Sequence, residues 1–341
     1  MKDMYIPWGN IDWLMSKLGK IEQWDFLGNI SAEERSLGAW NWLWDNGKIR
    51  SNEMWLIKGL EDAPSSYREL NNEECGERIK QYEKKCGWGY YAFDLLSSDT
   101  IASNHFLKFV ENTDGNVIID ISTMPKRWFF PVIKECVANN HIQNLIITYT
   151  IPKTYAKKQG EDPMPWRYLP SFGELPERED CEKIFIISAG YQPLSLPEWI
   201  SNYEDPKMYI LFPFPAAIIG YSRAWDFIRT IEADCGMIEN NRIVYVSGYD
   251  LPEIYSTVCK IMSQEEGKEP IFNPYGPKPV SLAFAMLASQ LSFPVGYTQP
   301  SYYNPYYSMG IETIGKNVPK IMSYLLKING RNLYTPPPIS F

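Results

Sequence analysis

Residues 269–291 read EPIFNPYGPKPVSLAFAMLASQL, and this stretch decides the fold. Its first part, 269–273, is a short apolar run that predicts a strand, and its last part, 279–291, is a small, apolar segment that predicts a helix. A turn-rich loop of prolines, one glycine and one lysine joins the two. A strand, a loop and a helix in this order form the repeating unit of α/β proteins.

The same alternation runs through most of the chain. Short apolar runs predict further strands at 54–59, 90–96, 116–122, 144–150, 183–189, 208–214, 242–248 and 293–298. Segments compatible with helices lie between them at 72–85, 125–138, 221–234 and 251–264. Several of the strands are almost continuously apolar, which is typical of strands covered on both faces. The pattern predicts an α/β protein with a mostly parallel, Rossmann-like sheet, built either as one large sheet or as two lobes.

Four segments are predicted along the chain. Residues 1–50 contain IDWLMSKLG and AEERSLGAWNWLWDNG and are expected to form a small helical N-terminal cap. Residues 51–160 form the first Rossmann-like α/β half, and 183–341 form the second half with a tyrosine-rich C-terminal segment. The polar, proline-rich stretch 161–182 breaks the rhythm, so it is expected to be a connector or a lid over a site.

Composition excludes several classes of protein. The 341 residues are 45% hydrophobic and 22% charged, which are globular values, and the formal net charge is −8. An acidic chain disfavours general nucleic-acid binding, although a local pocket can still hold a small anion. No long apolar run predicts a membrane span, and no secretion signal is recognised. Six scattered cysteines without a CxxC pair, and only two histidines, argue against a metal site and favour a reducing, cytoplasmic location.

Ligands of open α/β sheets bind beyond the carboxyl ends of the strands, where this chain places most of its polar, aromatic and proline clusters. In the loop at 273–279, Gly276 would let the main chain approach a ligand, and Lys278 would stand beside the first amide groups of the next helix. Both features favour a phosphate or a carboxylate. The alternative is a stiff connection whose lysine is solvated. Further ligand-binding residues predicted at this edge are Tyr149, Tyr191, Tyr249, Tyr275, Tyr297, Gln299 and Tyr303.

The stretch DISTMPKRW, residues 120–128, has a similar layout. Asp120 ends an apolar strand, where a carboxylate is costly unless it is paired or functional. Ser122 and Thr123 are expected to cap the following helix or to bind a ligand. Lys126 and Arg127 fall in the first helical turn, where an anionic ligand would offset their unfavourable interaction with the helix dipole. The alternative is that Asp120 pairs with one of them in a purely structural group.

Catalytic machinery is sparse in this sequence. No nucleophile elbow, Walker loop or dinucleotide fingerprint is present, and the two histidines have no evident partner. Carboxylates would therefore carry any chemistry, and the candidates are Asp120, Asp250 and Glu198. Asp250 also fits the N-cap of the helix at 251–264.

Three functions stay open. The first is a small-molecule binding protein for a nucleotide- or nucleoside-like anion, with hydrolysis of a glycosidic bond and no metal as its chemistry. The second is a nucleotide-signal sensor that relays to a protein partner without catalysis. The third is an interaction module, whose tyrosine-rich tail would contact a partner or a second copy of the chain. The sequence identifies no cofactor, and neither a membrane nor a nucleic acid is expected as a partner.

Overall fold

The computed structural model describes residues 7–60, 65–173, 182–214, 221–315 and 317–338. The chain divides into two compact units. The first unit contains residues 1–162 and 301–333, and the second contains residues 163–300 and 334–341.

The described secondary structure has strands and helices in alternation. The strands are β1 Trp8–Asn10, β2 Trp24–Ile30, β3 Ile49–Lys58, β4 Tyr91–Asp94, β5 Asn116–Asp120, β6 Asn144–Thr150, β7 Pro152–Tyr155, β8 Gly160–Pro163, β9 Arg167–Tyr168, β10 Lys183–Ser188, β11 Lys207–Pro213, β12 Ile243–Val246, β13 Glu269–Pro274, β14 Gly296–Tyr297, β15 Pro300–Tyr303, β16 Ser308–Ile311, β17 Thr313–Ile314, β18 Val318–Pro319, β19 Ile321–Ile328 and β20 Arg331–Asn332. The helices are α1 Ile11–Lys17, α2 Gly38–Asp45, α3 Arg68–Cys86, α4 Asp99–Glu111, α5 Lys126–Ala138, α6 Leu196–Ile200, α7 Tyr221–Cys235, α8 Leu251–Gln264 and α9 Lys278–Leu291, with 3-10 turns at Glu34–Leu37 and Asn240–Arg242.

The first unit is built on the larger sheet, with strand order β1-β19-β6-β5-β2-β3-β4 and β20 added beside β19. The five strands from β6 to β4 in this order run parallel to one another. Strand β19 runs antiparallel to β6, and β1 runs antiparallel to β19. Numbered along the chain from β2, the parallel strands stand in the order 3-2-1-4-5. Strands β3 and β4 therefore lie on one side of β2, and β5 and β6 lie on the other, so the strand order reverses between β2 and β5.

The second unit is built on a sheet of four parallel strands in the order β12-β11-β10-β13. Numbered from β10 these strands stand in the order 3-2-1-4, so the reversal falls between β10 and β13. The structure thus confirms the predicted mixed α/β class with mostly parallel strands. The parallel strands form two separate sheets, one in each unit.

Within the described residues 7–50 no separate helical cap is evident, so the prediction of such a cap is corrected. Strand β2 is buried along its whole length in the middle of the first sheet. Trp40 of α2 is fully buried in the same hydrophobic cluster as Phe26 and Ile118. Its ring lies 4.9 Å from that of Tyr82, measured between centroids. The tryptophans therefore belong to the core of the sheet rather than to an added layer.

Most of the predicted strands and helices coincide with observed ones, but some observed elements were not predicted and one predicted strand is shorter. Strand β2, helix α4 and strand β19 were not predicted. The run predicted as a strand at 293–298 is reduced to β14 and one bridge between Phe272 and Val295. Part of the predicted connector or lid, residues 174–181, lies outside the described residues. Among the helices that are described, none is both long and apolar enough to cross a membrane.

Candidate functional site

The reversal point of the first sheet lies where β2 and β5 end. Here the side-chain amide of Asn29 donates to Thr123 Oγ1, and the Thr123 hydroxyl donates to the main-chain oxygen of Asn29, both at 3.2 Å. Loops that leave two neighbouring strands in opposite directions create the crevice in which α/β sheets bind their ligands. We call the polar group around this point the carboxyl-edge cluster, and it consists of Asn29, Glu33, Arg35, Asp120, Ser122, Thr123, Lys126 and Tyr149.

Asp120 is the buried acid of the cluster, with 1% of its surface exposed. Its Oδ1 atom accepts hydrogen bonds from the hydroxyls of Ser122, at 2.6 Å, and Thr148, at 2.9 Å. Its Oδ2 atom has no hydrogen-bond partner among the described residues. Burial raises the pKa of Asp120 to about 6, although the two hydroxyls and the positive charge of Arg35 partly oppose the rise.

Arg35 lies in the 3-10 turn that follows β2 and is 4% exposed. Its Nη2 atom is 2.9 Å from Glu33 Oε2, and Glu33 also accepts a hydrogen bond from the Ser308 hydroxyl. The guanidinium lies over the rings of Tyr149, at 5.6 Å, and Tyr155, at 6.0 Å. Nη1 has no hydrogen-bond partner within the described parts of the chain. A buried donor without a partner is costly, so this atom is a candidate contact for an anion.

Lys126 is the first residue of α5 and is 6% exposed. Burial lowers the pKa of its ammonium group to about 7. The residue before it, Pro125, is the N-cap, and no side chain caps the helix. The expectation that Ser122 or Thr123 caps α5 is therefore wrong, because their hydroxyls bond to Asp120 and to Asn29 instead. The start of α5 thus combines a buried amine with uncapped helical amide groups, which favours a negative charge.

A short layer formed by residues 152–161 and 301–311 covers this edge of the first sheet. It includes β7 and β16, which pair antiparallel. The layer packs closely at Gly59, because a Cβ atom there would lie 2.8 Å from the ring of Tyr302 and 2.9 Å from the main-chain oxygen of Ser301. Predicted residue Tyr303 lies in the layer, and its main-chain oxygen accepts a hydrogen bond from Asn71. The layer contacts the cluster, because the Ser308 hydroxyl in β16 donates a hydrogen bond to Glu33.

At the corresponding edge of the second sheet, the loops after β10 and β13 pack against each other. Gly190, after β10, lies so close to the next loop that a Cβ atom would be 1.9 Å from the main-chain oxygen of Tyr275. Gly276 donates its amide hydrogen to Ser188 Oγ at 2.8 Å, and a Cβ atom there would lie 2.9 Å from Ala189 O. These two glycines therefore allow the loops after β10 and β13 to pack against each other. Lys278 is half-buried at the start of α9.

Other predicted residues of the second unit surround this packed edge. The Tyr275 hydroxyl is 2.8 Å from Thr298 Oγ1, and its ring lies 5.2 Å from that of Tyr297. The guanidinium of Arg223 lies over the ring of the buried Tyr191, at 4.4 Å. Gln299 is buried and donates to the main-chain oxygen of Pro300.

The candidate carboxylates divide between the two units. Asp120 belongs to the first unit, whereas Asp250 and Glu198 belong to the second. The predicted N-cap role of Asp250 is confirmed, because its side chain accepts the amide hydrogen of Glu253 at 2.9 Å, and Tyr249 lies half-buried beside it. Glu198 is exposed on the short helix α6.

The structure brings together four of the predicted residues around Asn29 and Arg35, namely Asp120, Ser122, Thr123 and Tyr149, and Lys126 lies at the start of the helix that follows this loop. Arg127, although adjacent in sequence, donates to the main-chain oxygens of residues 96 and 97. Sequence reasoning missed Asn29, Glu33 and Arg35. The available signal was the charged run AEERS at 32–36, but it is informative only once the preceding residues are recognised as a strand.

Within the parts of the chain that the structure describes, no group of three or more His, Cys, Asp or Glu side chains could hold a metal ion. No family model and no curated protein matches the chain. Among solved structures, the chain is similar to the cytoplasmic domain of a prokaryotic cation chloride cotransporter, with a TM-score of 0.24 and 8% sequence identity. The match covers 82% of this chain and 96% of that one. A TM-score of this size supports no conclusion about function.

Proposed function

We propose that the first unit binds a small, nucleotide-like anion at the carboxyl-edge cluster. The observation that carries this proposal is the buried guanidinium of Arg35, whose Nη1 atom has no hydrogen-bond partner among the described residues. A phosphate or carboxylate oxygen would satisfy that donor with a charge-assisted hydrogen bond. Lys126, at the start of α5, would supply a second positive charge.

We also propose that both units have a Rossmann-like fold. The strand orders 3-2-1-4-5 and 3-2-1-4 support this assignment, because sheets of that kind reverse direction next to their first strand. In the first unit, the turn after β2 takes the place where such folds bind phosphate. Arg35 would perform here the function that glycine-rich loops perform with main-chain amides.

The surroundings suit a ligand with an aromatic ring as well as a charge. Tyr149 and Tyr155 lie beside Arg35, and their hydroxyls are 2.8 Å apart. Flat side chains of this kind provide stacking surfaces for a base. Asn29 Oδ1 and Asp120 Oδ2, which have no partner among the described residues, would accept hydrogen bonds from hydroxyl or amino groups of the ligand.

Hydrolysis of the bound ligand is the second candidate, and one observation favours it. The pKa of Asp120 is about 6 and that of Lys126 about 7, so both buried groups can exchange a proton near neutral pH. Cleavage of a glycosidic bond requires a carboxyl group to protonate the leaving group or to activate water, and Asp120 is the candidate in this unit. Asp250 and Glu198 stay predictions for the second unit. The alternative sensor function requires the same binding without turnover.

Binding is tested with a panel of nucleotides and sugar phosphates, measured by calorimetry on the full chain. Lys126→Met is the informative variant, because methionine fills the buried space of the lysine without its charge. We expect affinity to fall about 10- to 100-fold, the range for one charge-assisted contact. Lys20→Met, at an exposed lysine of the same unit, is the matched control and should bind normally. Equal affinities for the two variants would refute the proposed site.

Turnover separates the enzyme from the sensor. The ligands that bind are incubated with the protein, and the products are analysed by chromatography. Product formation that is lost in Asp120→Asn, with binding retained, supports hydrolysis. Recovery of the intact ligand supports the sensor function.

A further inference from the structure

The second unit contains a cavity at the opposite edge of its sheet, where β10 and β11 begin. The cavity has a volume of about 430 Å³, which lies within the range of small-molecule sites. The half-buried Tyr203 forms its aromatic wall, and the ring of Phe185, which is only 1% exposed, packs edge-to-face against Tyr203 with the ring centroids 5.0 Å apart. No residue of the carboxyl-edge cluster contributes to this cavity.

The polar lining of the cavity is predominantly acidic. Glu182, Glu204 and Asp205 contribute three carboxylates, of which Glu182 forms an ion pair with Lys268 at 2.9 Å, whereas Lys183 contributes one ammonium group. Glu204 and Asp205 are exposed, so their charges face solvent and remain available to a ligand. Acidic groups around an aromatic wall attract an organic cation and repel the anions proposed for the first unit.

A cation already occupies the face of one ring in this cavity. The ammonium group of Lys183 lies over the ring of Tyr203, 5.8 Å from its centroid. This contact shows that the Tyr203 ring already interacts with a positive charge contributed by a residue of the cavity lining. The ring of Trp199 also contacts Tyr203 edge-to-face, with the ring centroids 5.3 Å apart.

From the cavity, its aromatic wall and the cation on Tyr203, we propose that the second unit binds a small molecule with an alkylammonium group. The ammonium group lies against Tyr203, and its charge is balanced by Glu204 and Asp205. The ammonium group of Lys183 competes with the ligand for the same ring face. The site is independent of the anion site proposed for the first unit.

Choline and n-butylammonium, both as chloride salts, are the probes for calorimetry, with sodium chloride at equal concentration as the reference. The first probe tests a quaternary head group and the second a primary one. The neutral alcohol 3,3-dimethylbutan-1-ol has the shape of choline without its charge, and we expect it to bind at least about 10-fold more weakly. Equal binding of the neutral alcohol, or no binding of either cation, would overturn the proposal.

Variants assign the binding to the cavity. We expect Tyr203→Leu to weaken binding about 3- to 30-fold, whereas Tyr203→Phe, which retains the ring, should bind nearly as well as the native chain. We expect Lys183→Gln to tighten binding several-fold, because the competing charge is removed. A loss of binding in Tyr203→Phe equal to that in Tyr203→Leu, or no effect of Lys183→Gln, would contradict the geometry.

The contribution of the exposed carboxylates that line the cavity is tested with a double variant, Glu204→Gln with Asp205→Asn. Asparagine suits position 205, because the backbone there has a φ of 47°, in the left-handed region that asparagine tolerates. The control is Asp226→Asn with Glu239→Gln, which removes two exposed carboxylates elsewhere in the same unit. Weaker binding in the first pair alone supports the site, and equal loss in both pairs would show non-specific attraction.

Discussion

Replacement of Asp120 by asparagine is expected to stabilise the first unit, by an amount that depends on pH. Burial raises the pKa of Asp120 from its ordinary value of 3.8 to about 6. Because the folded-state pKa is above the unfolded one, the stability associated with the protonated group is fully present below about pH 4 and is lost as the pH rises through about 6. At neutral pH, a difference of this size corresponds to about 3 kcal/mol of lost stability.

Asparagine removes the buried charge but retains an oxygen at the position of Oδ1. That oxygen can accept the hydrogen bonds of Ser122 and Thr148. The new amide nitrogen needs an acceptor, so part of the gain is offset. We expect a net gain of about 1–3 kcal/mol at pH 7, which for a unit of about 200 residues raises Tm by about 2–12 °C.

Thermal unfolding followed by tryptophan fluorescence at about pH 7 and about pH 4.5 measures this gain. At the lower pH we expect it to fall below about 1 kcal/mol, because the native carboxyl group is then mostly protonated when folded. Glu22→Gln, at an exposed carboxylate of the same unit, should alter neither value. A lower Tm for Asp120→Asn at pH 7, or an equal gain at both pH values, would refute the reasoning.

Three further predictions concern charge and packing. Affinity for a phosphodiester, whose charge is constant, is expected to rise as the pH falls from about 8 to about 5.5. The reason is that Lys126 gains its proton near pH 7 and Asp120 loses its negative charge near pH 6. An affinity measured by calorimetry that does not change with pH would contradict this prediction. Arg35→Met is expected to cost about 3–5 kcal/mol of unfolding free energy, since it leaves the largely buried Glu33 without its ion-pair partner. In the double variant Arg35→Met with Glu33→Gln, at least about 1 kcal/mol of the lost unfolding free energy should be recovered, as measured by urea unfolding. If the destabilisations of the two single variants simply add, the two side chains do not form a stabilising ion pair. Gly190→Ala is expected to destabilise the second unit by about 1–3 kcal/mol or more, because the alanine Cβ atom would overlap the main-chain oxygen of Tyr275. If the variant unfolds at the same temperature as the native chain, the loops after β10 and β13 can move apart without cost.

The strand and helix alternation was predictable because most of the parallel strands are continuous apolar runs. Strand β2 was missed for a physical reason, since Asp25, Gly28 and Asn29 interrupt its apolar character. Asp25 is nevertheless fully buried, because it accepts hydrogen bonds from Ser51 and Arg50 at the start of the sheet. Such partners are distant in sequence and cannot be identified from a local pattern. The order of the strands is likewise set by contacts between distant segments.

The candidate site was predictable only in part. Asp120 stood out because a carboxylate at the end of an apolar strand needs an explanation, and Lys126 followed from its place at a helix start. Arg35 was missed because its loop follows the strand that was not recognised. Gly276 shows a different difficulty, since a glycine that admits a ligand and one that admits a neighbouring loop are identical in sequence. Only the contact with residues 188 and 189 distinguishes the two roles.

A crystal structure of the full chain with its tightest-binding anion tests the central claim most directly. We predict that the phosphate or carboxylate group lies within hydrogen-bond distance, about 3 Å, of Arg35 Nη1 and close to Lys126 Nζ, at the ends of β2 and β5. An anion bound instead at the start of α9 beside Lys278, with the carboxyl-edge cluster unchanged, would contradict the account.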